Sequence, residues 1–315
     1  MATYRNKLPQ LSTSLFMTDG GIETDLIFNK GQDLPEFAAF DLLKHKDGKQ
    51  TLKSYYKDYL VIAKDKCNGF VLEAPTYRAN PDWIIKIGYA LNDLQAIHHT
   101  ATELLEDLRK DFETDNFKIP ISICIGPRGD GYVPSKIMNI KEAEVYHTSQ
   151  IKAASNTNAD FVSGFTLNYN DEAIGIVNAS KKHNIPVVIS YTVETDGNLP
   201  SGQSLKDAIL SLDKMTNNYT SYFMINCAHP EHFKNILNTE ESWTKRIKGI
   251  RANASKKSHA ELDESETLDI GNKEELAKDY CDLKTLLPNL SIIGGCCGTD
   301  STHLATICDS WFKIN

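Results

Sequence analysis

The chain has 315 residues, 41% of them hydrophobic and 24% charged, and a formal net charge of −8. That length suffices for one large core, and α/β barrels often run this long. The acidic balance with no basic stripe argues against a nucleic-acid partner, and no run is apolar and long enough to span a bilayer.

Short apolar, β-branched runs recur along the chain, with amphipathic segments between them. They begin near Leu15, Gly69, Ile119, Asp160, Ile185, Tyr222, Ile247 and Leu290. Helical patterning fills most of the gaps, over residues 51–64, 84–110, 140–156 and 171–183. Eight alternating units predict one (β/α)8 TIM barrel spanning residues 1–315, with its active site at the C-terminal ends of the strands. A doubly wound open sheet would carry a Gly-x-Gly-x-x-Gly turn after an early strand, and none is present. A polar stretch over residues 252–278 contains Ser258-His259-Ala260-Glu261-Leu262-Asp263. It reads either as a lid on the functional face or as a solvated acidic helix and its cap.

The residues with chemical potential sit where those runs end. The first run closes on Asp19-Gly20-Gly21-Ile22-Glu23-Thr24. Its glycines permit close backbone approach to a ligand, and Asp19 and Glu23 suit an ammonium group; a glycine turn with a helix-capping acid is the plainer reading. Glu73, Thr76 and Tyr77 follow the second run, Gly126-Pro127-Arg128 the third, and Tyr191 and Glu194 the fifth. The sixth run ends on Asn226-Cys227, and the eighth leads into Gly294-Gly295-Cys296-Cys297-Gly298-Thr299. Alternate strands of a barrel contribute to the same layer, so strands six and eight can present these thiols at one height. Cys227, Cys296 and Cys297 therefore predict a Zn2+ site with one open position. A vicinal Cys296–Cys297 disulfide is the redox alternative. Cys67, Cys124, Cys281 and Cys308 read as buried structural cysteines, and His229 as solvent-exposed. The seven cysteines, an odd number, suit free thiols or metal better than a disulfide scaffold. With no apolar signal core after Met1, that usage points to the reducing cytoplasm.

Taken together, Asp19-Gly20-Gly21, Gly126-Pro127, Asn226-Cys227 and Gly294-Gly295-Cys296-Cys297-Gly298 resemble the zinc-dependent homocysteine S-methyltransferase family over nearly the whole chain. The resemblance implies catalytic zinc on Cys227, Cys296 and Cys297, with homocysteine and a small methyl donor as substrates and methionine as product. It also implies amino-acid binding by Asp19 with the Gly20-Gly21 backbone, and it matches Asn253 to an asparagine after the seventh strand. The donor stays open among S-methylmethionine, S-adenosylmethionine, betaine and a methylated folate. Two departures stand out. Phe165, in Ser163-Gly164-Phe165-Thr166, occupies the place of a glutamate that grips the acceptor's ammonium in the family, and Glu73 on a neighbouring strand is the candidate to restore that charge. These departures leave two alternatives, a different thiol or selenol acceptor and a non-enzymatic zinc or redox protein.

Overall fold

A computed structural model describes residues 1–134, 137–265 and 267–313. Eight parallel strands close into a barrel. They are β1 (Phe16–Met17), β2 (Gly69–Phe70 and Leu72–Glu73, interrupted at Val71), β3 (Ile121–Ile125), β4 (Phe161–Leu167), β5 (Val187–Tyr191), β6 (Phe223–Asn226), β7 (Ile247–Ala252) and β8 (Ile292–Gly295). Phe16 pairs with both Gly69 and Ile292, while Leu72 pairs with Ile121. The two halves of β2 thus face opposite neighbours, which closes the ring. The expected (β/α)8 barrel is the observed one.

The strand sequences explain this layout. Val187–Tyr191 is buried at every position, as a parallel strand covered on both faces must be. Side chains at the start of the strands, including Phe16, Phe161, Tyr222 and Ile292, fill the lower interior with Leu8, and Tyr4 packs against them. Higher up the interior turns polar: Ser122 and Ser163 hydroxyls lie 2.7 Å apart, below Glu73 and Arg251.

Several helices begin at capping residues. Asn139 and Glu142 form a capping box for Ile140–Ser155, and Asp300 with His303 does the same for Ser301–Trp311. One expectation needs correction. Residues 84–110 form two helices, Pro81–Lys86 and Asp93–Phe112, because the chain turns at Gly88 with φ +91. The polar stretch after β7 holds a short helix, His259–Asp263, capped by Ser258 and Glu261, and then Lys273–Leu286. Among the described residues, no helix is long and apolar enough to cross a membrane.

Candidate functional site

At the C-terminal ends of the strands the barrel opens into a cavity of about 550 Å3. Cys227, Cys296 and Cys297 form part of its wall, and their sulfurs all lie within 4.8 Å of one another. Cys227 and Cys296 are joined by a disulfide and Cys297 keeps a free thiol. The vicinal Cys296–Cys297 bond of the redox alternative is therefore not formed; among the described residues the disulfide joins Cys227 to Cys296, two of the three cysteines expected to hold a metal. Three soft sulfurs at one point are a donor set for zinc once reduced, and the open cavity leaves room for a fourth ligand. Burial pushes the Cys297 thiol above its usual range, which a bound cation would reverse.

Two loops hold the three cysteines. The Cys227 amide bonds to the Arg251 carbonyl at 3.1 Å, and the Cys296 amide to the Ala252 carbonyl at 2.8 Å. The chain then turns tightly: the Thr299 amide and hydroxyl both donate to the Cys296 carbonyl, at 3.1 and 2.7 Å, with Gly298 at φ +78. Cys227 itself has φ +52 and Thr166 has φ +57. Left-handed backbone in a non-glycine residue costs about 1–3 kcal/mol, and a β-branched threonine there is an outlier. Asn226 fixes Thr166: its Oδ1 accepts the Thr166 amide at 2.9 Å and its Nδ2 donates to the hydroxyl at 2.8 Å.

The Asp19-Gly20-Gly21 turn lines the cavity, but its atoms are largely engaged by the protein. Asp19 is 1% exposed, ion-paired at 2.8 Å with Arg251 and bonded by the Tyr55 hydroxyl at 3.0 Å. Burial nonetheless leaves its carboxyl above the usual range, against the pull of Arg251 and Tyr55. A Cβ at Gly20 would meet the Tyr59 hydroxyl at 2.6 Å, and one at Gly21 the Cys296 carbonyl at 2.5 Å. The glycines thus serve close packing of this turn against the cysteine loop.

Arg251, at the end of β7, is the site residue the sequence reading missed. Besides Asp19 it donates to the Gly20 carbonyl at 3.0 Å and the Gly295 carbonyl at 3.1 Å, and its guanidinium lies 5.2 Å from the Phe165 ring. Burial works against its charge, but Asp19 and then Glu73 outweigh it and keep the arginine protonated. A signal was available: a charged residue at the end of a strand in a barrel faces the same mouth as Asp19.

Glu73 is buried in the cavity wall. Its Oε1 lies 3.4 Å from the Ser163 hydroxyl, while Oε2 has no partner in the protein. Burial pushes its carboxyl up to about 7, as it does for Glu23. Asn253 is not among the residues lining the cavity; it is buried behind the wall, with its amide on the Ala228 carbonyl at 3.2 Å. Tyr77 lines the cavity, as does Cys124, which sequence treated as structural. Thr76 donates to the Cys124 carbonyl and Arg128 pairs with Asp82 at 2.9 Å. His229 is buried rather than exposed, because its Nδ1 accepts the Glu231 amide and caps the helix Pro230–Phe233.

A family model described as homocysteine S-methyltransferase matches residues 16–311. Homocysteine S-methyltransferase 1 of Arabidopsis thaliana is 22% identical over 313 residues, covering 92% of this chain and 91% of its own. The protein of the same name from Brassica oleracea var. italica matches with the same identity and coverage. Among solved structures, the homocysteine methyltransferase MmuM from Escherichia coli shares the fold. Its oxidized form superposes with a TM-score of 0.74 at 16% identity, over 94% of this chain and 95% of that one. Its metallated form gives 0.73 at 16%, over 94% and 96%.

Proposed function

The chain belongs to the homocysteine S-methyltransferase family, and from that premise we propose that it moves a methyl group from an activated donor to the thiol of homocysteine, giving methionine. The observation that carries this reading is the convergence of Cys227, Cys296 and Cys297 in the cavity wall. We assign these three residues to Zn2+, which when bound would keep the acceptor sulfur deprotonated near neutral pH. The reducing cytoplasm is the matching compartment, since the thiols must be free to bind.

The remaining work falls to the chain. The partnerless Oε2 of Glu73 is placed to receive the acceptor's ammonium, taking over from the glutamate that Phe165 replaces. Asp19 acts through Arg251 and the Gly20-Gly21 turn to shape the amino-acid end, and Asn253 supports the wall from behind. The cavity wall also includes the aromatic residues Phe28, Phe37, Tyr77 and Trp83 together with the acids Glu23 and Asp263. Aromatic faces beside carboxylates suit a sulfonium or quaternary ammonium donor. The acceptor sulfur attacks the methyl carbon in line; the C–S or C–N bond breaks with its electron pair going to the leaving heteroatom, which becomes neutral. No proton moves in that step.

A second reading, the same chemistry on another thiol or selenol acceptor, is favoured by Phe165, whose ring faces Arg251 where a carboxylate was expected. One screen addresses both. Reduced, zinc-loaded protein is incubated with homocysteine and each of S-methylmethionine, S-adenosylmethionine, betaine and methyltetrahydrofolate, and methionine is measured. Methionine from a cationic donor is the expected result. No methionine from any donor would overturn the homocysteine assignment and move the screen to other thiols and to selenols.

A further inference from the structure

Two loops that belong to neither β6 nor β8 meet at the cysteine trio. Tyr132, in the segment after β3, stacks on His259, which opens the short helix after β7; their ring centroids are 4.0 Å apart and their planes 19° from parallel. The Tyr132 hydroxyl lies 3.5 Å from Cys297 Sγ. His259 Nε2 lies 2.6 Å from the Cys227 carbonyl oxygen, and its Nδ1 lies 3.3 Å from Glu194 Oε1. The stacked pair thus touches two of the three cysteines, one through its sulfur and one through its backbone. The 258–263 motif, which the family resemblance does not account for, ends here.

Cys227 gives this contact its meaning. Its left-handed backbone, φ +52, is unfavourable for any residue but glycine, so something must hold it. The carbonyl of Cys227 accepts from His259, and also from the Thr192 hydroxyl at 3.3 Å. The penalty for a buried carbonyl that loses its main donor is comparable to the backbone strain the contact offsets. With His259 removed, only the Thr192 hydroxyl would hold this carbonyl, and the strained peptide would be freer to relax and turn the Cys227 side chain away from Cys296 and Cys297. On the opposite side, the Tyr132 hydroxyl fixes where the Cys297 sulfur sits.

We propose that His259 and Tyr132 are positioning residues of the sulfur site: His259 holds Cys227 in the conformation that aims its thiol at the other two, and Tyr132 orients Cys297. The proposal rests on the zinc reading above. Partners that orient metal ligands typically change metal affinity by about 10–100-fold when removed, and His259 acts on the backbone of one of the three, Cys227.

The test is zinc affinity of the reduced protein, read by competition with a chromophoric chelator, for wild type, His259→Ala, His259→Gln, His259→Asn and Tyr132→Phe. Urea unfolding of the metal-free proteins controls for folding. His259→Ala is expected to bind zinc about 10–100-fold more weakly. Glutamine places an amide N–H near the position of Nε2 and should restore most of that loss. Asparagine reaches only the Nδ1 position, towards Glu194, and should not. Tyr132→Phe keeps the stack, so its metal-free stability should hold while its zinc affinity falls. Equal zinc affinity in wild type and His259→Ala, or glutamine no better than asparagine, overturns the positioning role. A wild type that takes up no zinc after reduction overturns the metal assignment instead, and the two failures are distinct.

Discussion

Replacing Glu73 with glutamine tests the site through proton linkage, and the structure sets the size of the effect. The Glu73 carboxyl is pushed up to about 7 by burial, from the 4.5 of a free glutamate. Below pH 4.5 the group is protonated in both folded and unfolded chains and imposes no cost. As pH rises from 4.5 to 7, the unfolded chain releases the proton while the folded chain retains it. Stability is therefore lost through that window, and above pH 7 the loss is complete at about 3 kcal/mol. An amide does not titrate, so Glu73→Gln escapes the loss. Glu23 titrates in both proteins and cancels in the comparison. Urea unfolding of the reduced, metal-free proteins at pH 5 and pH 8.5 should show the variant gaining about 2–3 kcal/mol relative to wild type between the two conditions. Calorimetry adds the functional half. If the ammonium of homocysteine settles on Glu73, binding to the zinc-loaded protein at pH 6.5 expels about three-quarters of a proton more from wild type than from the variant, the acceptor thiol's own proton being released in both. An unfolding difference that is the same at both pH values, or proton release equal in the two proteins, would refute the reasoning.

Three further outcomes follow from the same geometry. Thiol titration under denaturing conditions should count five groups in the oxidised protein and seven after reduction, with zinc uptake confined to the reduced form. Cys227→Ser should abolish stoichiometric zinc in elemental analysis and lower kcat/KM by at least about a hundredfold, since removing a ligand exceeds the effect of losing one that orients it. Arg251→Met strands Asp19 without its cation and should cost about 3–5 kcal/mol in urea unfolding. Adding Asp19→Asn should recover part of that loss, and a double-mutant cycle without coupling would dismiss the ion pair as a stabilising contact.

The barrel and the sulfur trio were legible in sequence for the same reason. Strands buried on both faces are continuous apolar runs, and runs that alternate with helices must converge at one mouth, so residues closing the sixth and eighth runs meet there. Pairing was not legible. Nothing local announces that Arg251 neutralises Asp19, because the contact joins β7 to the turn after β1. His229 looked exposed because its capping role depends on a helix of four residues. Tyr132 and His259 lie in separate loops, and their stacking is a property of loop conformation that periodicity does not encode. The break at Gly88 shows the opposite limit: one positive φ divides a pattern that reads as continuous.

The junction of the first and last strands has a consequence for how such a site can change over generations. Gly20 and Gly21 abut Tyr59, Thr299 and the Cys296 carbonyl, and Arg251 ties Gly20 to Gly295. A substitution in that seam must be matched in several loops at once. Positions 73 and 165 lie in the cavity wall outside that seam, where Glu73 Oε2 has no partner in the protein. A change at the cysteine end of the cavity therefore has to be answered across several loops, whereas the ends of the second and fourth strands leave more room for a change in what the cavity accepts.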